Sequence, residues 1–491
     1  MRSPRADRQR RRGALVPAAV VAVAVALAAI AGCGDGDDQT ERAEPVAAGS
    51  IAVDQLERCG GEAPSRLRCG ELDLPYERAD PSLGRIGIAF AVLPRSDRDA
   101  RSRGALVAVE GGPGYGSIGS ARDYIATFGD LLHDRDLVLV DARGTGDSEP
   151  IDCPDMQSSR STDDVGVAAC AEQLGERYGS YRTAAAADDI DDVLTALGYG
   201  RVQMYGDSYG TYLAQSYAFR HGDRLRALVL DSAYPVRGED PWYAGNWRTG
   251  IRGLSIACDR SPDCGGDAGR RLERFVTERR KATLDPGPIL DAIAAAGFSP
   301  PESYLRIDRA IADYLHGDTD RYAELVADWR WRYGKPGGYS VGEELAVSCN
   351  DFPMPWDKEA SWEERRRQLA AAIAGLPRDA FAPFTPAEVA LAPDWTYLEC
   401  LGAPPPTDHY ERPAERTAVA PEIPVLVVAG ELDNITSPPE ARAVAADFPQ
   451  SKLFLWRNAG HVYSLYDPDS KGAVRIRRFL RSKDSGSGSP G

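Results

Sequence analysis

The 491 residues carry 58 Lys and Arg against 74 Asp and Glu, a formal net charge of −16, with 43% hydrophobic and 27% charged residues. These are the proportions of a globular protein with a sizeable core, in one large domain or two to three ordinary ones. The acidic balance argues against a nucleic-acid partner, because phosphate binding needs a basic face, and a solvated acidic surface accounts for it.

The chain opens on a basic segment, "MRSPRADRQRRRG", followed by an apolar run, "ALVPAAVVAVAVALAAIAGC". That order is the n-region and h-region of a secretory signal. The run ends Ile30-Ala31-Gly32-Cys33, which resembles the bacterial lipobox, where cleavage leaves a diacylated cysteine. Residues 1–32 therefore read as a lipoprotein signal peptide, Cys33 as the lipidation site and residues 33–50 as a flexible tether. An uncleaved transmembrane anchor is the rival, since the run is near the length a helix needs to span a bilayer. Small residues directly before a cysteine, then the polar "GDGDDQTERAEP", favour the lipoprotein. Either reading exports the remaining chain, held at the cell membrane or secreted. Two acyl chains would hold it to a membrane stably, where one would not.

Setting Cys33 aside leaves eight cysteines: Cys59, Cys69, Cys153, Cys170, Cys258, Cys264, Cys349 and Cys400. An even remainder in an exported chain reads as four disulfides, each worth about 2–4 kcal/mol. Eight cysteines allow 105 connectivities. Nearest-neighbour pairing is the expectation: Cys59–Cys69, Cys153–Cys170, Cys258–Cys264 and Cys349–Cys400. A zinc site would need Cys-x-x-Cys or His at ligand spacing, and neither occurs, so no metal is expected.

Beyond the tether, "RIGIAFAVL" alternates like a strand and is closed by Pro94. "GALVAVEGG", "DLVLVDARG", "RVQMYGDS", "RALVLDSA" and "IPVLVVAGELD" are continuous apolar runs that stop at Gly or Asp, and "KLFLWRNAGH" is a further candidate. Strands buried on both faces of a parallel sheet have this pattern. About 190 residues, Tyr234 to Glu422, separate "RALVLDSA" from "IPVLVVAGELD". Within them "GRRLERFVTERRKA", "YLRIDRAIADYLHG" and "SWEERRRQLAAAIAGL" have helical character. Because strand-type sequence resumes afterwards, the interval reads as an insertion rather than a separate domain. The expected organisation is a core over 51–235, a helical cap over 236–422, the rest of the core over 423–482 and a disordered tail over 483–491.

The chemistry centres on "RVQMYGDSYGTYLAQ", which holds Gly206-Asp207-Ser208-Tyr209-Gly210. A strand, Gly-x-Ser-x-Gly and a helix in succession are what a nucleophile elbow requires, with glycines where the sharp turn crowds the backbone. A serine hydroxyl needs a base held by a third group. Of five histidines (His133, His221, His316, His409, His461), only His461 follows the last strand candidate. The order Ser, Asp, His then asks for an acid after the penultimate strand, and Asp433 in "AGELDNITSP" stands there. Asp231 also ends a strand and is the rival; its bland reading is a carboxylate capping a turn. The loop "VAVEGGPGYGS" can turn N–H groups towards the serine, so the N–H groups of Gly112 and Tyr209 are the expected oxyanion hole. As a phosphate loop it fails, with no Gly-Lys-Ser/Thr and a proline at 113.

"VEGGPGYGS", "DARGTGDSEP", "YGDSYGT", "VSCNDFP" and "AGELDNITSP…NAGH" resemble the exported actinobacterial-type tripeptidyl aminopeptidases and their prolyl aminopeptidase relatives. The resemblance runs from about Cys59 to Leu480 and is weakest in the insertion. It implies an α/β-hydrolase fold: a mostly parallel central sheet with helices on both faces and a large, mainly helical cap. It also implies a Ser208–His461–Asp433 triad, no cofactor, substrates with a free N-terminus, and a Cys349–Cys400 bond. Two positions depart from the family pattern. Glu110 stands where relatives usually carry His or Pro, and a tryptophan usual after the later cysteine is replaced within "CLGAPPP".

The expected function is an exported serine aminopeptidase releasing short peptides through an acyl-enzyme. An aminopeptidase must also bind the substrate ammonium. Asp351, Glu343 and Glu344 are candidates, although solvated surface acids are the simpler reading of the two glutamates. A carboxylesterase using the same triad is the nearest alternative, and a binding lipoprotein on the same fold is an alternative of another class. A GDSL-type hydrolase would need Asp three residues before its histidine, where Asn458 stands. An epoxide hydrolase would need Asp as nucleophile.

Overall fold

The computed structural model describes residues 46–61, 63–158, 163–327, 334–392 and 396–483. The expected signal segment, Cys33, most of the tether and residues 484–491 lie outside the described residues. Among the described residues, no helix is long and apolar enough to cross a membrane.

Among the described residues nine strands form one sheet: β1 (Glu57–Arg58), β2 (Arg68–Pro75), β3 (Arg85–Leu93), β4 (Ala105–Val109), β5 (Asp136–Val140), β6 (Val202–Asp207), β7 (Leu225–Asp231), β8 (Val425–Gly430) and β9 (Ser451–Trp456). Their spatial order is β1-β2-β3-β5-β4-β6-β7-β8-β9. The pairs from β1 to β5 are antiparallel, and those from β5 across β4 to β9 are parallel. The seven apolar runs of the sequence are β3 to β9. Every residue of β4, β5, β6 and β8 is buried, which is why these strands read as unbroken apolar runs. β2 was not legible: "RCGELDLP" carries three charges, and only its eight paired positions along β3 make it a strand.

Helices cross between the parallel strands. Ala121–Phe128 links β4 to β5, Tyr209–His221 links β6 to β7, Pro438–Asp447 links β8 to β9, and Lys471–Ser482 closes the fold. The chain places β5 on one side of β4 and β6 on the other. The crevice at the carboxyl ends of β4 and β6 is therefore a topological switch point, where open α/β sheets bind ligands.

The insertion between β7 and β8 is mostly helical and buries its apolar faces in two places. Helix Ala268–Lys281 starts on the Asp267 side chain, which accepts from Arg270 N, and buries Leu272, Phe275 and Val276 along one face. Helix Glu302–Leu315 buries Tyr304, Ile307 and Ile311 in the same way. These helices share an apolar cluster with Trp247, Leu254, Ile293, Phe381 and Phe384. Helix Val341–Asp351 belongs elsewhere. Val341, Leu345, Ala346 and Val347 pack with Ile151, Tyr181 and Tyr209 in the main core.

The described residues hold four disulfides: Cys59–Cys69, Cys153–Cys170, Cys258–Cys264 and Cys349–Cys400. Short separations of 6, 10 and 17 residues tie local turns, whereas Cys349–Cys400 closes 51 residues and holds the helix Val341–Asp351 to the segment after it.

Candidate active site

Ser208 stands between β6 and the helix Tyr209–His221 at φ +50° and ψ −123°, a backbone conformation that costs a non-glycine residue about 1–3 kcal/mol. The turn is tight enough to exclude any side chain on either flank. A Cβ on Gly206 would lie 2.2 Å from the Gly210 carbonyl oxygen, and one on Gly210 would lie 2.1 Å from that of Val109. Ser208 N donates to the Asp231 carbonyl at 3.0 Å, which fixes the turn against β7.

From Ser208 a chain of hydrogen bonds runs inward. Ser208 Oγ is 2.9 Å from His461 Nε2, and His461 Nδ1 is 3.0 Å from Asp433 Oδ2. Asp433 is fully buried and His461 is 5% exposed. The remaining capacity of the carboxylate is taken up locally. Oδ1 accepts from Ile435 N and Thr436 N at 2.9 and 3.0 Å, and Oδ2 accepts from Thr436 Oγ1 at 2.9 Å. These bonds fix the direction of the carboxylate, so Nδ1 of the imidazole carries the proton that it accepts and Nε2 is left to accept from the serine.

Residues 104–468 match the family model described as "alpha/beta hydrolase fold". The chain belongs to the α/β-hydrolase family. It is similar to tripeptidyl aminopeptidase of Streptomyces lividans, with 26% identity over 472 residues, 86% of this chain and 84% of that protein. Serine protease Hip1 of Mycobacterium tuberculosis is 25% identical over 354 residues, 62% of this chain and 67% of that protein. Proline iminopeptidase of Neisseria gonorrhoeae is 28% identical over 138 residues, 28% of this chain and 35% of that protein.

In this α/β-hydrolase the loop after β4 lies over the elbow. A Cβ on Gly111 would come within 2.7 Å of the Ser208 Cβ, and Gly112 takes φ +114°. Tyr209 is the first residue of its helix, so its N–H has no acceptor one turn back. Its buried side chain leads away from the serine and meets Thr183 Oγ1 at 3.0 Å.

The side chains of the other candidates take no part in the relay's hydrogen bonds. Asp231 accepts from Tyr205 Oη at 3.1 Å, and burial pushes its carboxyl up to about 7. His221 bonds Asp188, His316 bonds the Ala312 carbonyl, and His133 and His409 are exposed.

Glu343 and Glu344 are not solvated surface acids. Their helix packs into the main core, leaving Glu343 1% exposed and Glu344 half-buried. Ser340, the cap of that helix, donates its N–H to the Gly114 carbonyl at 2.9 Å, so the helix begins against the loop after β4. Burial drives the Glu343 carboxyl well above its usual range, with Glu344 and Asp351 adding repulsion, and pushes Glu344 up to about 7. Asp351 Oδ2 accepts from Thr183 N at 2.6 Å, yet burial raises this carboxyl too. Glu343 Oε2 and Asp351 Oδ1 are buried without a hydrogen-bond partner, with the Tyr410 hydroxyl near Asp351. Asp351 also lines a cleft of about 620 Å³ with Tyr212, Trp356, Lys358, Tyr410 and Arg412.

The sequence reading missed how the insertion grips the relay. His461 N donates to the Gly297 carbonyl at 2.8 Å, and Gly297 N donates to Asn434 Oδ1 at 2.7 Å. Asn434 Nδ2 donates back to the carbonyls of Ile293 and Ala294. Phe298 meets the imidazole edge-on, 5.4 Å between ring centres. The acid loop and the histidine loop are thus both tied to one segment of the insertion. Thr436 was missed as well; its position three residues after Asp433 is the spacing at which a hydroxyl and N–H can turn back to an aspartate. A cluster with ligand-like spacing, Cys258, Cys264 and Asp308, has its sulfurs joined as a disulfide and its carboxylate paired with Arg271.

Proposed function

We propose that the protein is an exported serine aminopeptidase that cleaves short peptides from free N-termini through an acyl-enzyme. The unbroken relay Ser208 Oγ–His461 Nε2/Nδ1–Asp433 Oδ2 carries this reading. In the proposed cycle, His461 Nε2 takes the hydroxyl proton as Ser208 Oγ attacks the scissile carbonyl. Asp433 holds the imidazole tautomer and stabilises the imidazolium without itself taking the proton. The backbone N–H groups of Gly112 and Tyr209 stabilise the oxyanion, each such donor being worth about 10²–10³ in rate. His461 then protonates the leaving amine, the carbon–nitrogen bond breaks, and water attacks the acyl-serine with His461 as base.

The preference for a free N-terminus rests on Glu343 and Asp351. A buried acid with an unpaired oxygen is costly, and a substrate ammonium would supply both the missing charge and the missing donors. The relatives named tripeptidyl aminopeptidase and proline iminopeptidase point the same way. Export and lipidation at Cys33 rest on the N-terminal sequence, and the four disulfides agree with an oxidising compartment.

The test compares hydrolysis of a free tripeptide anilide, its N-acetylated form and a short-chain ester by the same preparation. The aminopeptidase reading expects the free peptide to be preferred over both. Equal rates on free and blocked peptides, or a preference for the ester, overturn it in favour of a carboxylesterase.

A further inference from the structure

The pairing Val109↔Gly206 sets the next residues of the two strands side by side at their carboxyl ends, and those residues are both acids, Glu110 and Asp207. Asp207 is 1% exposed. The hydroxyl of the fully buried Tyr124 stands between them, 2.9 Å from Glu110 Oε2 and 2.8 Å from Asp207 Oδ1, and the two carboxyl groups also bond each other. A phenol has one proton. It can donate along one of these contacts, and the other contacts need a hydrogen from a carboxyl group. The trio is therefore complete only when one of the two acids is protonated.

The same acids touch the machinery on both sides. Glu110 Oε1 accepts from Gly111 N at 3.1 Å, and Glu110 N donates to Ser117 Oγ at 3.1 Å. Gly111 packs on Ser208 with no room for a Cβ, and Asp207 directly precedes the nucleophile. We propose that Glu110 and Asp207 are positioning residues that share one carboxyl proton with Tyr124, and that this proton locks the Gly111–Gly112 backbone against Ser208. The inference rests on the reading of Gly112 as an oxyanion donor.

The titratable groups facing the pair are Tyr124 from the helix after the loop, Tyr205 and Asp231 from β6 and β7, Tyr115 from the β4–β5 connection, and Tyr466 from the segment after His461. Burial, then Glu110 beside it, raises the Asp207 carboxyl well above its usual range, so Asp207 is the acid that holds the shared proton. When that proton is lost to solvent at alkaline pH, two carboxylates repel across the phenol and the anchor of Gly111 loosens.

The decisive comparison is the melting temperature of wild type and Asp207→Asn against pH. Above about pH 4 an unfolded aspartate ionises while the folded one stays neutral, so the wild type loses stability as pH rises towards the raised value. The amide keeps a donor for Glu110 and has no proton to lose. The Tm of Asp207→Asn should therefore rise relative to wild type as pH climbs from about 4 towards the raised value of Asp207. A difference that stays constant over that range overturns the shared proton. On an activated ester, Glu110→Ala should lower kcat at least about tenfold with little change in KM, as expected for a misplaced oxyanion donor, and Glu110→Gln should restore most of it. Wild-type kcat should also decline at the alkaline end in a way that Asp207→Asn does not. Superimposable alkaline limbs, or a Glu110→Ala kcat equal to wild type, overturn the locking role. The melting comparison needs no turnover, so a wild type inactive on every substrate would sink the hydrolase reading and leave the proton still decided.

Discussion

The relay acid Asp433 and the pair Glu343 and Asp351 form two sets of buried carboxyl groups, and the protein treats them in opposite ways. Asp433 is saturated: two N–H groups, a hydroxyl and the imidazole occupy its two oxygens. Glu343 and Asp351 are also buried, yet each keeps an oxygen without a partner. Burial alone therefore does not mark an acid as part of the relay. An acid whose bonds are all made within the chain can only orient something, whereas an acid left one bond short is suited to receive a cation from outside. On this account the first set drives the chemistry and the second chooses the substrate, and substitutions should separate the two.

The largest effect should come from the relay. Ser208→Ala or His461→Ala should lower kcat on the order of 10⁶-fold, and Asp433→Asn about 10⁴-fold by holding the wrong tautomer, on free peptides and esters alike. The second set should act selectively. Asp351→Asn or Glu343→Gln should lower kcat/KM for free-amine peptides by about 10- to 100-fold, as expected for one charge-assisted hydrogen bond, while N-acetylated peptides and esters are unaffected. Equal losses on both substrate classes would merge the two sets into one.

The raised carboxyl groups give that selectivity a pH dependence. A raised acid is neutral below its shifted value and cannot attract an ammonium, so KM for free-amine peptides should climb as pH falls through the raised range of Glu343 and Asp351. The substrate amine itself discharges above about 8, so the free-amine preference should peak between the two. Blocked peptides should show neither limb. Within the relay, Thr436→Val keeps shape but removes one bond to Asp433, and should lower kcat about tenfold. The smallest effect on chemistry is expected for Cys349→Ser with Cys400→Ser. Stability should fall by about 2–4 kcal/mol, and the free-amine preference should weaken, because the bond steadies the helix that carries Glu343 and Asp351. Ester turnover should survive.

The sheet was legible because a strand buried on both faces must be apolar throughout, as β4 to β8 largely are. The relay was legible for a related reason. Catalytic loops follow strand carboxyl ends, so Ser208, Asp433 and His461 could be placed by their order after the runs that form β6, β8 and β9. What stayed hidden depends on neighbours far apart in the chain. Glu110 and Asp207 meet only because β4 and β6 pair, and Gly297 reaches His461 only through the packing of the insertion. Glu343 misled for a different reason. Two adjacent glutamates suggest a wet helix face, but the helix Val341–Asp351 lies inside the main core, with Tyr209 packed beside it. β2 shows the converse: three charges concealed a strand whose pairing comes from β3.

The central claim is that Ser208 is an activated nucleophile, and covalent labelling addresses it without knowledge of the substrate. Wild-type protein is treated with a fluorophosphonate and the modified peptide is identified by mass spectrometry, beside Ser208→Ala and Asp351→Asn. The account expects one phosphonyl group on the peptide containing Ser208, none in Ser208→Ala, and labelling close to wild type in Asp351→Asn. A folded wild type that takes no label, or a label that persists in Ser208→Ala, would contradict it.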